Sequence, residues 1–464
     1  MRTPNQNSRD QLVAALARRS AASASELARQ AGVSVPTLHR LLKELGAQVL
    51  VTGKARRARY GLRRALRGDS APLPLYRIDA QGRAEPVARL ALVHPQGVCA
   101  DMAATGWPAP KGSLDGWWDG LPYPLYDMRP QGFMGRQLAR AEHRQLGVSA
   151  NPQDWSDDDI LFVLCRHGAD VSGDLLLGDI ACERWMAAKR SPADPARSKA
   201  LGVAYSKLAE QALASGVAGS SAAGEFPKFP ALRETAGSQT PHVLVKFSGA
   251  DGSATVRRWS DLLVAEHLAL QCAATLEGIE SARSRILQSG GRTFLEVERF
   301  DRHGAFGRSG LCCLAALEAA LIGDGSADWA RLAGQMAAAG LLGAADVQRI
   351  DRLWWFGRLI ANSDMHAGNL SFRPRQSDAG KHVELAPAYD MLPMLYAPLP
   401  GGELGTRGFE PPLPLPAQRP AWSAACVAAL LFWNRVAEDK RIGEGFRREG
   451  QANAQKLARL AEQA

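Results

Sequence analysis

Residues 361–369, ANSDMHAGN, constrain this chain more than any other stretch. They follow LWWFGRLI, an apolar run that predicts a buried helix ending where the polar residues begin. Asp364 then stands just past a helix end, and Asn369, five residues on, brings an amide oxygen to the same short loop. Twenty-one residues after Asn369, LAPAYDMLP sets a second carboxylate, Asp390, behind a short apolar strand. A segment that gathers these three groups has to join helix, loop and strand, so an α+β domain is expected here.

The spacing has chemical meaning. Protein kinases carry a base Asp and a Mg2+-binding Asn five residues apart in their catalytic loop, one for the substrate hydroxyl and one for the metal. Asp364 reads as the base, and Asn369 and Asp390 as ligands. Two hard oxygen ligands plus nucleotide phosphates suit Mg2+. Upstream, PHVLVKFSG is a β-branched strand with Lys246 embedded in it, where a charge needs a partner such as a nucleotide phosphate. Glu266, inside the helical pattern SDLLVAEHLALQCA, is placed to pair with that lysine and orient it. FLEVERFDR reads as a strand running into a connector, with Glu298 and Phe300 bordering an adenine and Asp301 a ribose. Residues 216–228, GVAGSSAAGEFPK, form a Gly/Ser/Ala loop able to cover phosphates with backbone N–H groups. Each piece has a plainer alternative. Lys246 can snorkel from an edge strand, Glu298 and Arg299 can be a surface ion pair, His366 can brace its loop rather than move a proton, and the loop can be a linker. The order of the pieces favours the site.

Charge points to a second activity. The chain carries a net +9, yet residues 1–66 alone hold 13 Lys/Arg against Asp10, Glu26 and Glu44, a local +10. Such an excess on a small domain is the footprint of nucleic-acid binding, with a basic solvated face as the plainer reading. Helical periodicity covers residues 9–19, 25–30 and 35–45, with AGVS between the second and third: Gly32 for the turn, Ser34 as cap, Pro36 in the first turn. QVLVTGKARRARYGL then reads as two strands around a basic tip. These elements predict a winged helix-turn-helix. Its third helix presents Ser34, Thr37, His39 and Arg40 to the major groove of double-stranded DNA, while Lys43 and the wing residues Lys54, Arg56, Arg57 and Arg59 meet phosphates. A three-helix packing module without DNA contact is the alternative.

At 464 residues with 46% hydrophobic content, the chain is expected to hold two or three domains. The boundaries read as 1–66 for the helix-turn-helix, 67–76 (RGDSAPLPLY) for a linker, 77–215 for a small β-containing subdomain, and 216–464 for the domain around Asp364, with an amino lobe to about 302 and a mainly helical lobe from about 303. Residue types assign no chemistry to 77–215. No apolar run spans a bilayer and MRTPNQNSRDQ is unlike a secretory signal, so a cytoplasmic protein is expected, nucleoid-associated when on DNA. Seven cysteines without a CxxC pair point to reduced, buried thiols.

The motifs SSAAGEFPKF, HVLVKF, VERFDR, ANSDMHAGNLSF and LAPAYDMLP, in that order over about residues 216–395, resemble the HipA family of serine/threonine kinases, toxins of toxin–antitoxin modules. With the amino-terminal helix-turn-helix, the chain is most similar to the YjjJ type of HipA-like proteins. The resemblance implies Asp364 as base, Asn369 and Asp390 on Mg2+, Lys246 on the phosphates of ATP, and Glu298 and Phe300 at the adenine. It implies autophosphorylation at Ser221 or its neighbour Ser220, which ejects the loop and silences the enzyme. Phe226 stands where GEQPK has glutamine, which puts the loop geometry in question. Family members modify aminoacyl-tRNA synthetases, so such an enzyme is an expected type of protein substrate, with an antitoxin as a further partner. The two-fold symmetry common to helix-turn-helix proteins suggests a homodimer. A DNA-binding regulator with a nucleotide-sensing kinase-like domain, and a nuclease reusing the same carboxylates, are the competing readings.

Overall fold

The computed structural model describes residues 4–113, 115–214, 226–234, 237–377, 380–399, 401–405 and 408–463. They fall into two compact units. One comprises residues 1–79, 83–129 and 155–187, the other residues 80–82, 130–154 and 188–464.

The first unit begins with helices Pro4–Leu16, Ala24–Gln30 and Val35–Leu45. Ser23 caps the second with a reciprocal box to Glu26, and Ser34 caps the third by accepting from the Thr37 N–H. Each such cap is worth about 1 kcal/mol. The apolar face of the third helix buries Leu38, Leu41, Leu42 and Leu45 against Leu12, Leu16 and Leu27. Strands Val49–Thr52 and Arg59–Leu62 pair antiparallel, and the second also pairs with Ala22–Ser23. The first helix starts five residues earlier than the expected 9–19 and stops at Leu16, before Arg18 and Arg19.

Residues 67–76 are not a linker. Leu66 and Asp69 exchange backbone hydrogen bonds, and Leu73–Ile78 is an inner strand of a five-stranded antiparallel sheet. Its prolines imitate a linker, while the alternation that buries Leu75 and Ile78 is too short to stand out. The sheet runs in the order Trp117–Trp118, Val98–Cys99, Ala84–Leu92, Leu73–Ile78, Leu175–Leu177. Its junction with the amino-terminal hairpin is tight. Arg64 N–H donates to Leu92 C=O and His94 N–H to Leu62 C=O, Arg64 forks onto Asp158, and Arg67 meets Asp159 at 2.5 Å. Trp117 Nε1 donates to Thr52 Oγ1 at 2.6 Å, and a Cβ on Gly61 would lie 2.7 Å from the same indole, so only glycine fits there.

The second unit holds a four-stranded antiparallel sheet, in the order Ser284–Ser289, Arg292–Glu298, His242–Phe247, Lys228–Leu232. The 20-residue helix Ala254–Ala273, capped by Ser253, packs against it. So does helix Leu201–Ala214, whose fully buried Tyr205 meets the rings of Phe229 and Phe294. This corrects the boundary at 215: the expected 77–215 subdomain is divided between the two units, and residues 188–214 belong with the sheet that carries Lys246. Nothing in the periodicity of an amphipathic helix says which sheet it will cover. Beyond residue 303 the unit is mainly helical, with Leu314–Leu321, Trp329–Ala338, Ala344–Leu359 and the hairpin of Arg419–Glu438 and Glu444–Gln463. A three-stranded sheet, Cys312–Cys313, Ser371–Ser377 and Gly380–Leu385, flanks the loop of Asp364. Among the described residues no helix is long and apolar enough to cross a membrane.

Candidate active site

Lys246 lies on an inner strand, paired with Leu295 on one side and Lys228 on the other, and is 5% exposed. A buried ammonium is costly unless it is paired and hydrogen-bonded. Here Nζ donates to both Glu266 oxygens, at 2.7 and 2.8 Å, and to Asp390 Oδ1. Glu266, 1% exposed, comes from the helix Ala254–Ala273, and Asp390 from the segment after Gly380–Leu385. The backbone at Asp390 is left-handed, φ 54°, which Asp tolerates better than most residues. Two carboxylates thus compete for one ammonium. Burial pushes the Glu266 carboxyl up to about 7 against the pull of Lys246, while at Asp390 the attraction of Lys246 and then Lys228 overcomes burial and holds the group at about 2. Burial opposes the charge on Lys246, but Asp390 and Glu266 raise its pKa above the ordinary lysine value.

The loop of Asp364 is held by side chains. Asp364 N–H donates to Asn362 Oδ1 at 3.0 Å, and Asn369 Nδ2 donates to Asp364 C=O at 2.9 Å. His366 Nδ1 accepts from Gly368 N–H at 3.0 Å, which assigns the proton to Nε2, 3.9 Å from Asp364 Oδ1. Trp329 Nε1 donates to His366 C=O, and Tyr389 donates to Gly368 C=O at 2.9 Å. The carboxylate of Asp364 is half exposed. Because the nitrogen of the Asn369 amide is engaged, its oxygen is left as an acceptor. That oxygen and the Asp390 carboxylate are a hard donor pair of the kind Mg2+ takes together with phosphate oxygens.

Other expected residues are differently disposed. Glu298 is bound by Arg233 Nη2 at 2.7 Å, and Arg233 Nε bonds Glu296, which also takes Tyr205 and Arg285. The Glu298 carboxylate is therefore spent on an ion pair within the sheet. Asp301 is buried and bonded by the guanidiniums of Arg299 and Arg302, so reaching a ribose would require breaking that clasp. The Phe300 ring stands 5.8 Å from Tyr389, and its carbonyl accepts from Arg373. Phe226 packs edge-on against Trp259 at 4.7 Å and lies 5.9 Å from the Lys246 ammonium, so the residue that departs from the motif has become part of the lysine's surroundings. Ser220 and Ser221 lie outside the described residues. Sequence reasoning passed over Arg233, Asn362 and Tyr389. Only the last two had a signal, since both fall inside motifs already quoted.

In the amino-terminal helices, Ser34 is engaged as a cap and shares its hydroxyl with Thr37, and His39 lies edge-on to Tyr60. Arg40, Lys43, Lys54, Arg56, Arg57 and Arg59 are exposed. Arg40 lies 4.0 Å from Glu44, and Arg59 lies 3.6 Å from Glu26.

Comparison with known proteins matches residues 69–186 to the family described as YjjJ-like toxin, middle domain, and residues 220–443 to the HipA-like C-terminal domain. Toxin YjjJ of Escherichia coli (strain K12) is 37% identical over 441 residues, covering 95% of this chain and 96% of that protein. The chain belongs to the YjjJ type of HipA-like toxins. Among solved structures, this HipA-like toxin resembles HipA from a Shewanella oneidensis MR-1 complex of HipA, HipB and operator DNA, with a TM-score of 0.50 and 16% identity over 84% of this chain and 97% of that one. At that identity the likeness shows a shared fold.

Proposed function

We propose that this HipA-like toxin is an ATP- and Mg2+-dependent serine/threonine protein kinase that acts within a toxin–antitoxin system and carries its own DNA-binding domain. The observation that carries the reading is the buried contact of Lys246 with Glu266 and Asp390 in one unit with the braced loop of Asp364. ATP supplies the phosphoryl group and Mg2+ neutralises charge on it. Lys246, oriented by Glu266, binds phosphate oxygens. Asn369 Oδ1 and Asp390 would hold the metal. Asp364 accepts the proton of the attacking Ser/Thr hydroxyl, and its half-exposed position leaves room for a protein substrate. The Phe300 ring borders the adenine, and the engaged side chains of Glu298 and Asp301 leave recognition there to the backbone. His366 holds the loop. An aminoacyl-tRNA synthetase as substrate, autophosphorylation at Ser221 or Ser220, a separate antitoxin and a homodimer are parts of this reading.

The exposed basic residues of the third helix and hairpin support a winged helix-turn-helix on DNA, as does the operator in the structure of the related HipA. They also support the second reading, a DNA-binding regulator that senses nucleotide through a kinase-like domain. Phosphoryl transfer separates the two. With γ-labelled ATP and Mg2+, the wild-type chain incorporates label and Asp364→Ala loses it, by at least about 1000-fold. Equal incorporation by both chains would remove Asp364 as the base, and incorporation by neither would leave the regulator.

A further inference from the structure

We infer that Asn362 is a positioning residue for Asp364, a neutral acceptor that fixes the backbone of the proposed base. The inference rests on the kinase reading above. Asp364 has both of its backbone polar groups bonded to asparagine side chains, its N–H to Asn362 Oδ1 at 3.0 Å and its C=O to Asn369 Nδ2 at 2.9 Å. A catalytic residue on an irregular loop lacks the ladder of bonds that fixes a helix or strand, so its direction depends on such side chains. Asn369 has a proposed task of its own at the metal. Asn362 has none, and its contact with Asp364 is the bond that its side chain makes.

Three features show that the position of Asn362 is set from below. It stands three residues past Leu359, the last residue of the helix Ala344–Leu359, its own N–H donates to Gly357 C=O at 2.9 Å, and the preceding Ala361 is held left-handed at φ 58°. The Ala361 C=O in turn accepts from Leu395 N–H, a few residues beyond Asp390. Asn362 is 7% exposed and its Nδ2 has no hydrogen-bond partner. A buried amide with an idle donor is unfavourable, and a flip of the amide would set Nδ2 against the Asp364 N–H, donor against donor. The orientation is therefore fixed by the one bond that the oxygen makes. An aspartate would supply the same acceptor, but with a second negative charge two residues from the Asp364 carboxylate. Asparagine supplies the acceptor without it, and its unused N–H groups are the cost of that neutrality.

Steady-state kinetics on the full chain test this. Asn362→Leu keeps the shape and removes both the acceptor and the idle donor, so folding is expected to survive. With Asp364 no longer tethered, kcat falls about 100-fold, as small misplacements of a reacting group do, while KM for ATP stays within experimental error. Asn362→Asp restores the acceptor but adds the charge that asparagine avoids, so its kcat lies above that of the leucine chain and below that of wild type. Should the leucine chain fail to fold, Asn362→Ala, which offers the Asp364 N–H no acceptor, is measured the same way. An unchanged kcat in the leucine or alanine chain, or an aspartate chain as slow as leucine, would overturn the assignment. A wild-type chain with no transferase activity would instead defeat the kinase reading itself.

Discussion

Removing the Lys246 ammonium leaves Glu266 and Asp390 facing each other without their bonded partner and with only the weaker pull of Lys228, one of them 1% exposed. Breaking a buried ion pair by deleting one partner is far costlier than never having built it. Lys246→Met is therefore expected to destabilise the chain by about 3 kcal/mol, read from denaturant unfolding, and to abolish ATP-dependent labelling. A surface lysine would cost under about 1 kcal/mol, so a small loss would contradict the buried contact. At this scale the sequence was legible where a residue breaks its surroundings: a lysine in a β-branched strand, a carboxylate past an apolar helix. Lys246 and Glu266 do meet, about twenty residues apart in sequence, because strand and helix are consecutive. Glu298 was harder to read. Arg233, which occupies it, lies 65 residues away, just past the end of Lys228–Leu232 and two strands across the sheet, and no local pattern announces such a partner.

The helix Ala254–Ala273 that carries Glu266 is fastened by its other face to the carboxy-terminal hairpin. Asp261 Oδ1 accepts from Gly443 N–H at 2.7 Å, Arg258 donates to Tyr396 C=O and lies over the Phe446 ring, and Arg435 reaches Gln271. Asp261 is buried, and burial pushes its carboxyl above the ordinary 3.8 although Gly443 N–H and Arg258 pull the other way. An acid with a raised pKa in the fold binds its proton more tightly there than in the unfolded chain. Its contribution to stability is accordingly best below 3.8 and declines as pH rises through the raised value. Asp261→Asn keeps an acceptor for Gly443 and has no charge to bury, so it is expected to melt above wild type at neutral pH, with the advantage vanishing in acid. Asp261→Ala orphans the Gly443 N–H and melts lower at every pH, by about 1–3 kcal/mol. Thermal melts across pH decide it. The start of the third helix was legible in its cap Ser34, whereas the helices capped by Ser23 and Ser253 begin one and six residues before the periodicity that the sequence shows at 25–30 and 260–273. The strand Leu73–Ile78 was not legible, since two prolines in and before it outweighed a three-residue alternation.

Charge and domain boundaries belong to the whole molecule. The +10 of residues 1–66 was legible by counting, but the first compact unit extends to residue 187, where acidic Asp158 takes the half-buried Arg64 and Asp159 pairs with the exposed Arg67 just outside that count. Exposed basic residues remain on the third helix and the hairpin tip, and also at Arg9, Arg18, Arg19 and Arg29. Gly53 and Ala55, both left-handed, turn the chain between the hairpin strands, so Lys54, Arg56 and Arg57 project from an exposed tip and carry no packing. If that tip tracks phosphates, each cation contributes about 0.9 to the slope of log affinity against log salt. Changing all three to alanine should lower the slope by about 3 on DNA from the chain's own upstream region, while sequence preference stays with Thr37, His39 and Arg40 and the unfolding curve stays that of wild type. Asp364→Ala should bind that DNA as wild type does. An unchanged slope in the triple variant would place the phosphate contacts elsewhere on the unit, and salt-insensitive or absent binding by wild type would remove DNA from the function altogether.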